Sequence, residues 1–394
     1  MNRRTALKTI AGCGAAFGIA GLVWKQRILT ALSLNNEIKQ SERQAMASVA
    51  EDFRGKFAAP GLCIAIAQNG RFAYEQAFGV TGRDSREKLT PSHLFRIASV
   101  SKPITSAAIF SLIEKGRVRS EDRVFGTDGI LGVEYGKQPY GRGVEQITID
   151  HLLTHTSGGW DNGPDDPMFS NVGMNHAQLI SWTLNNQPLK NPPGKVYAYS
   201  NFGYCLLGRV IEKVTGRAYP DYVQNAILSP CGITDMRIAG NTPDDRAPRE
   251  VTYYGQGQGP YQNPYEINVR RMDSHGGWIA TPLDLVRFAI HVDGFDVSRD
   301  ILKTETIRKM ATPSDANPNY ARGWMVNTKG HWWHGGDLAG TTALLVRTSS
   351  RFCWAALTNT RREGTVSALD DMVWEMASKV SAWRTALAQN IVPG

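Results

Sequence analysis

Ser99-Val100-Ser101-Lys102 stands directly ahead of an apolar run, Ile104, Ala107, Ala108, Phe110 and Ile113, that closes at Gly116. Positions three apart on an α-helix share a face, so a helix beginning here sets Ser99 and Lys102 side by side. Pro103 is tolerated in a helical first turn, and a glycine past the last apolar residue is a stop signal, so the run carries both ends of a helix. Backbone N–H groups of a first turn lack intrahelical partners and lie at the positive end of the helix dipole. Negative charge developing at Ser99 would therefore be stabilised. The pattern is that of a hydroxyl nucleophile with an amine base one turn on.

Spacing alone is weak, since average Ser and Lys usage gives about one or two such matches by chance in a chain this long. Ser85-Arg86-Glu87-Lys88 has the same spacing, but no apolar helix continues from it before Pro91, and it reads as a solvated loop. Two further elements set the Ser99 match apart. Tyr199-Ser200-Asn201 follows Pro192-Pro193-Gly194 and precedes a second apolar helix, Phe202 to Val214, closed by Gly216. His334-Gly335-Gly336 precedes a strand-like run, Thr341 to Val346. Tyr261-Gln262-Asn263 and His275-Gly276-Gly277 repeat two of these patterns in the wrong setting, a Gly/Pro-rich loop and the approach to a capped helix at Thr281. Taken singly, Tyr199 reads as a core aromatic and Asn201 as a turn former.

In this order, S-x-x-K, Y-x-N and a basic residue with glycines before a late strand resemble the three boxes of the serine β-lactamase and penicillin-binding superfamily. The segments Phe95-Arg96-Ile97-Ala98-Ser99-Val100-Ser101-Lys102, His151-Leu152-Leu153-Thr154-His155-Thr156-Ser157-Gly158 and Tyr199-Ser200-Asn201-Phe202-Gly203-Tyr204 are similar to its class C β-lactamase-like branch. That branch includes D-alanyl-D-alanine carboxypeptidases, D-aminopeptidases and family VIII esterases. The resemblance implies an α/β fold with an active site in the cleft between a sheet domain and an all-α domain. It implies Ser99 as nucleophile, with Lys102 and Tyr199 sharing the proton traffic. Asn201 would bind the substrate amide or position Lys102. His334 and Gly336 would support the substrate along a strand edge, and the backbone N–H groups of Ser99 and Asp337 would form the oxyanion hole.

The third box departs from the β-lactamases and carboxypeptidases. Their hydroxyl residues, which bind a substrate carboxylate, are replaced here by Gly335 and Asp337. A carboxylate would find fewer donors and a nearby negative charge, so neutral esters or amino-terminal amines are the expected substrates.

Composition agrees with a soluble globular chain: 42% hydrophobic and 20% charged residues over 394 positions. The net charge of +8 would suggest nucleic acid, but Arg3, Arg4, Lys8, Lys25 and Arg27 supply much of it, and no basic block follows. No nucleic-acid partner is expected. Arg3-Arg4 ahead of the apolar run Ile10 to Trp24 resembles a twin-arginine export signal over residues 1–34. The run is shorter than the roughly twenty residues of a spanning helix, so export is favoured over anchoring, and this segment is the only one suited to membrane contact. Ala31-Leu32-Ser33 is the best candidate for cleavage. Ile10-Ala11-Gly12-Cys13 has lipobox letters, but its apolar run lies after the cysteine rather than before it.

Five cysteines form no C-x-x-C pair, and Cys63, Cys205 and Cys353 sit in apolar runs, as buried free thiols do. His151 with His155 and His331 with His334 have ligand-like spacing but neither a Glu general base nor a third ligand, so neither metal nor cofactor is expected. No G-x-S-x-G elbow occurs, which argues against an α/β-hydrolase.

Residues 36–57 read as a helix. Leu62 to Ala67 and Phe72 to Phe78 read as a hairpin around Asn69-Gly70, with strands again at Gly323 to Asn327, Thr341 to Arg347 and Phe352 to Thr358, and a last helix from Val366 to Trp383. This order predicts an antiparallel sheet built from both chain ends and flanked by the N- and C-terminal helices, with an inserted all-α region. The hydrolase domain would span residues 35–394, its sheet part 36–90 and 323–394, its helical part 91–322. Residues 253–264, rich in Gly, Tyr, Gln and Pro, read as a long loop suited to walling a cleft.

The expected function is an exported serine hydrolase that cleaves an ester or amide, including D-amino-acid peptides, through a Ser99 acyl-enzyme. Its substrate would be a small molecule or short peptide. A β-lactamase or D-alanyl-D-alanine carboxypeptidase stays open as an alternative. So does a non-catalytic peptidoglycan- or peptide-binding protein, although a binder has no physical need for Ser99, Lys102 and Tyr199 together.

Overall fold

The computed structural model describes residues 38–257 and 261–388. The twin-arginine stretch, Cys13 and the Ala31-Leu32-Ser33 site lie outside the described residues.

The chain opens with helix α1 (Gln40–Phe57), followed by β1 (Gly61–Gln68) and β2 (Arg71–Gly79). Asn69 and Gly70 both take positive φ, 50° and 68°, the backbone that a tight right-twisted hairpin needs. After the short strand β3 (Phe95–Arg96) come α2 (Ser101–Glu114), α3 (Ile149–Leu153), α4 (His176–Asn186), α5 (Asn201–Thr215) and α6 (Tyr219–Val223). Strands β4 (Arg237–Ile238) and β5 (Trp278–Ala280) precede α7 (Pro282–Ile290) and α8 (Thr304–Met310). Strands β6 (Met325–Val326), β7 (Trp332–Leu338), β8 (Thr341–Arg347) and β9 (Phe352–Thr358) lead to α9 (Thr365–Ser378) and α10 (Ser381–Ala388).

The main sheet is antiparallel in the order β2-β1-β9-β8-β7-β6, so the N-terminal hairpin docks on the C-terminal strands. Both faces are covered, and alternation along β1 sorts the side chains. Leu62, Ile64 and Ile66 join Met46, Phe53, Val373 and Met376 of α1 and α9 in one core, while Cys63, Ala65 and Ala67 join Leu285 and Phe288 of α7 in the other. The inserted region is mainly helical but also holds a small sheet in the order β3-β5-β4. Two- and three-residue strands leave no period in a sequence, and these were not foreseen. The expected last helix is two helices, broken at Lys379–Val380.

Helix α2 runs through the interior. Every residue from Ser101 to Leu112 is buried, so its polar groups need partners inside the protein. They have them: Ser101 Oγ donates to the Ala98 carbonyl at 2.7 Å, Thr105 Oγ1 to Ser274 O at 2.6 Å and Ser106 Oγ to Arg322 O at 2.6 Å. Cys63, Cys205, Cys231 and Cys353 are buried free thiols.

Candidate active site

Ser99 lies in a short 3₁₀ turn, Ala98–Val100, that runs into α2. Ala98 has φ 47°, a left-handed backbone costly for any residue with a Cβ. Across from it, Gly336 of β7 sits so close that an added Cβ would come within 2.1 Å of Ile97 O. Strand β7 is thus pressed against the turn that carries Ser99, and only a glycine permits it. Gly335 is likewise confined, under Val366 at the start of α9.

Lys102 is fully buried. Its Nζ lies 3.0 Å from Ser99 Oγ, 2.8 Å from Asn201 Oδ1 and 3.1 Å from His275 O, over the Tyr199 ring at 4.7 Å. Burial pushes its pKa well below the usual lysine value, although Asp166 opposes this. A neutral amine in this place keeps two N–H donors for Asn201 and His275 and turns its lone pair to Ser99. Tyr199 hydrogen-bonds Ser99 through its hydroxyl, and burial raises its pKa above the usual phenol value. At neutral pH it is a phenol and a donor.

Asn201, the first residue of α5, is set by the Ser200 N-cap, whose Oγ accepts from Gly203 N–H at 3.0 Å. Its Nδ2 donates to Asp166 Oδ2 at 2.8 Å and Asn162 Oδ1 at 3.2 Å, which turns its Oδ1 to Lys102.

His334 is buried, and burial followed by the Lys102 charge pushes its pKa down to about 3. Its ring nitrogens face Gly335 O at 2.7 Å and Tyr320 Oη at 3.2 Å, and Tyr320 Oη reaches His155 Nε2 at 3.0 Å. His155 Nδ1 accepts from Ser200 N–H at 3.0 Å. The chain therefore assigns one pattern: His155 Nε2–H donates to Tyr320, whose hydroxyl donates to His334 Nε2, leaving Nδ1–H for Gly335 O. The side chain read as the basic member of the third box is neutral here, with both nitrogens engaged inside the protein.

Asp337 follows on β7, its carboxylate ion-paired with Arg361 at 2.6 Å and its pKa raised by burial against the pull of that arginine. Ser99, Tyr199, Asn201, His334 and Asp337 all line one cleft, with Phe169, Tyr261 and Trp333 on its walls.

The expected residues thus converge. Ser85 and Lys88 stay in a surface loop and are not among the residues that line the cleft. Tyr261 is only a cleft wall, and His275 enters through its backbone carbonyl. His151 and His331 each accept a backbone N–H on Nδ1, from Thr148 and Ser349. Asp166, Asn162, Tyr320 and Arg361 were missed. Asp166 belongs to Asp161-Asn162-Gly163-Pro164-Asp165-Asp166, which has every mark of a solvated turn, and no sequence signal separates its one buried acid from its exposed neighbours.

The family model Beta-lactamase matches residues 41–375. Protein flp of Staphylococcus aureus (strain MRSA252) is 27% identical over 293 residues, 73% of this chain and 56% of that protein. Penicillin-binding protein 4* of Bacillus subtilis (strain 168) is 31% identical over 232 residues, 56% of this chain and 46% of that protein. The chain therefore spans about half the length of the curated relatives it matches. Among solved structures, D-amino acid amidase from Ochrobactrum anthropi SV3 complexed with L-phenylalanine amide superposes with a TM-score of 0.70 at 20% identity, covering 88% of this chain and all of that one. A beta-lactamase/D-alanine carboxypeptidase from Yersinia pestis gives 0.63 at 18% identity, covering 86% of this chain and 99% of that one. With the family model matched along most of its length, the chain belongs to the beta-lactamase family.

Proposed function

We propose that the protein is a serine hydrolase that cleaves an ester or amide through a Ser99 acyl-enzyme. The observation that carries this reading is the 3.0 Å contact between Ser99 Oγ and a buried Lys102 amine whose other contacts are already filled. Lys102 Nζ takes the hydroxyl proton as Ser99 Oγ bonds to the substrate carbonyl carbon. The backbone N–H groups of Ser99 and Asp337 hold the oxyanion. Tyr199, a neutral phenol beside Ser99, passes a proton to the leaving oxygen or nitrogen as the carbonyl bond to it breaks, and recovers one from Lys102. Water then adds to the acyl carbon by the reverse proton path and frees Ser99. Asn201 and His334 position the lysine and the strand.

The test is intact-mass spectrometry after a fluorophosphonate. One adduct is expected, absent in Ser99→Ala; an adduct that persists there and disappears in Ser85→Ala would overturn the assignment.

On substrate class, neutral or amine-bearing esters and amides remain the leading reading, and D-amino-acid amides fit it. A second reading is favoured by Arg361. It neutralises Asp337 and brings a guanidinium into the cleft, which suits a substrate carboxylate of the carboxypeptidase or β-lactam kind. A panel of nitrocefin, p-nitrophenyl butyrate and D-alanine p-nitroanilide separates the two.

Export by the twin-arginine route, to the periplasmic side, is part of the same proposal and rests on Arg3 and Arg4. Among the described residues no helix is long and apolar enough to cross a membrane. Replacing both arginines by lysine should leave the protein in the cytoplasm; unchanged export would refute this route.

A further inference from the structure

We propose that Asp166 is a positioning residue for the Ser99–Lys102 pair and acts on it through the Asn201 amide. The inference rests on the proposed serine chemistry and names a residue that sets how well it runs.

A side-chain amide can turn over and exchange its oxygen for its nitrogen. At Asn201 that exchange would point two N–H donors at the Lys102 nitrogen and remove the acceptor that orients it. Two oxygens on the far side prevent this, Asp166 Oδ2 at 2.8 Å and Asn162 Oδ1 at 3.2 Å, which between them take the Nδ2 donors. Asn162 is exposed at the cleft, so its hold is the weaker one. Asp166 is 1% exposed and is itself fixed, because Oδ1 accepts from Met168 N–H at 2.9 Å. A carboxylate, unlike an amide, offers acceptors only and cannot present a donor to Asn201 in any rotamer. The acid therefore imposes a direction on the array: Asp166 accepts from Asn201, Asn201 accepts from Lys102, and the lysine lone pair is left for Ser99.

The same carboxylate acts through space. Its charge raises the Lys102 pKa against the larger, opposing effect of burial. Burial in turn lifts the Asp166 pKa to about 6, offset in part by its bonds to Asn201 and Met168 and by Lys102. The charged groups that face Asp166 are Lys102, Asp161 and Arg271. Those facing Lys102 besides Asp166 are His155, His275 and His334, all held neutral by burial, together with the Tyr199 and Tyr204 rings. Among the described residues that face Lys102, Asp166 is the one acid.

The experiment follows the rate of Ser99 labelling by a fluorophosphonate from pH 5 to 9, which needs no knowledge of the natural substrate. Asp166→Asn keeps the size but removes the charge and the fixed direction; Asp166→Ser also removes the reach to Asn201. The asparagine variant should label about tenfold more slowly at pH 8, the loss expected for one hydrogen bond to a charged group. Its acid limb should move to lower pH, because without the nearby anion Lys102 loses its proton more readily. A purely structural role would not shift that limb. The serine variant should be slower again, with an unchanged circular-dichroism spectrum. Labelling of both variants at the wild-type rate with a wild-type profile would overturn the proposal, as would failure of both to fold, which would make Asp166 a residue of the fold alone. Absence of labelling in the wild-type protein would instead refute the serine reading beneath it.

Discussion

The carboxylate of Asp337 is held by the guanidinium of Arg361 at 2.6 Å, next along strand β7 from the Gly336 that packs against the turn carrying Ser99. Read without its partner, Asp337 is a negative charge that repels substrate carboxylates. Paired, it presents little net charge, and either half of the pair is open to competition.

Selectivity should respond to the two halves in opposite ways. Asp337→Ser frees Arg361 and should raise kcat/KM for a carboxylate-bearing substrate relative to its amide by about fivefold to tenfold; Arg361→Ala bares Asp337 and should lower the ratio. Matched p-nitroanilides with a free carboxylate, an amide and a free amine give the measurement. Equal ratios in all three proteins would remove the pair from substrate recognition.

Lys102→Ala and Tyr199→Phe should each lower kcat by about a hundredfold or more, as lost proton transfer does, with the far-ultraviolet spectrum unchanged. The pH profile gives the sign for lysine. Its pKa is depressed by burial, so activity should rise as pH increases through that lowered value rather than near the usual lysine range. Full turnover in Tyr199→Phe would reduce the tyrosine to architecture.

Asp166 also carries a stability prediction. Its folded pKa, about 6, lies above the unfolded value of roughly 3.9, so the folded protein binds more protons between them. The stability it contributes is present below pH 4 and is lost as pH rises through 6. The difference in unfolding free energy between wild type and Asp166→Asn should therefore drift by on the order of 2 kcal/mol from pH 4 to pH 7 in favour of the variant. Parallel urea curves over that range would show that Asp166 does not titrate in this way.

Tyr320→Phe removes the hydroxyl that joins His155 to His334 and leaves two buried imidazole nitrogens without that partner. The cost should be about 1–3 kcal/mol per group in urea unfolding, with kcat changed far less because Tyr320 does not contact Ser99. An unchanged midpoint would mean that water replaces the hydroxyl.

Gly336→Ala adds a single methyl group aimed at Ile97 O. Neither backbone can yield without moving Ala98 and Ser99, so activity should fall by at least a hundredfold even where the protein still folds. A variant with full activity would mean that β7 and the Ala98–Val100 turn are less tightly coupled than they stand.

What the sequence revealed and what it hid divide along one physical line. Asn69-Gly70, the strands Thr341–Arg347 and Phe352–Thr358, and the two glycine-stopped helices carry their signals in neighbouring residues, and all lie where the local chemistry puts them. Ser99 and Lys102 stood out by their spacing together with the apolar helix after them, and Tyr199 only through the order of the three boxes that the resemblance supplies. Asp166 meets Asn201 across 35 residues and His155 meets Tyr320 across 165, and those partnerships have no local trace. The pairing of Asp337 with Arg361 belongs with them. A charge was legible; its neutralisation was not.

The order of strands in the main sheet bears on how the molecule is made. Strand β1 leaves the ribosome well before β9, yet it lies between β2 and β9, and β9 ends only at Thr358. Until those last strands exist, the hairpin has no second neighbour and β7 cannot press against Ala98 and Ser99. Ser99 is thus synthesised well before the strand that presses on its turn. A chain made only as far as Glu114 carries the serine and the lysine but not their arrangement, and the pairing of Leu62 with Thr358 is the kind of non-local contact that slows folding. The cleft around Ser99 takes its shape only once β7 has been made and has found its place beside Ile97 and Ala98.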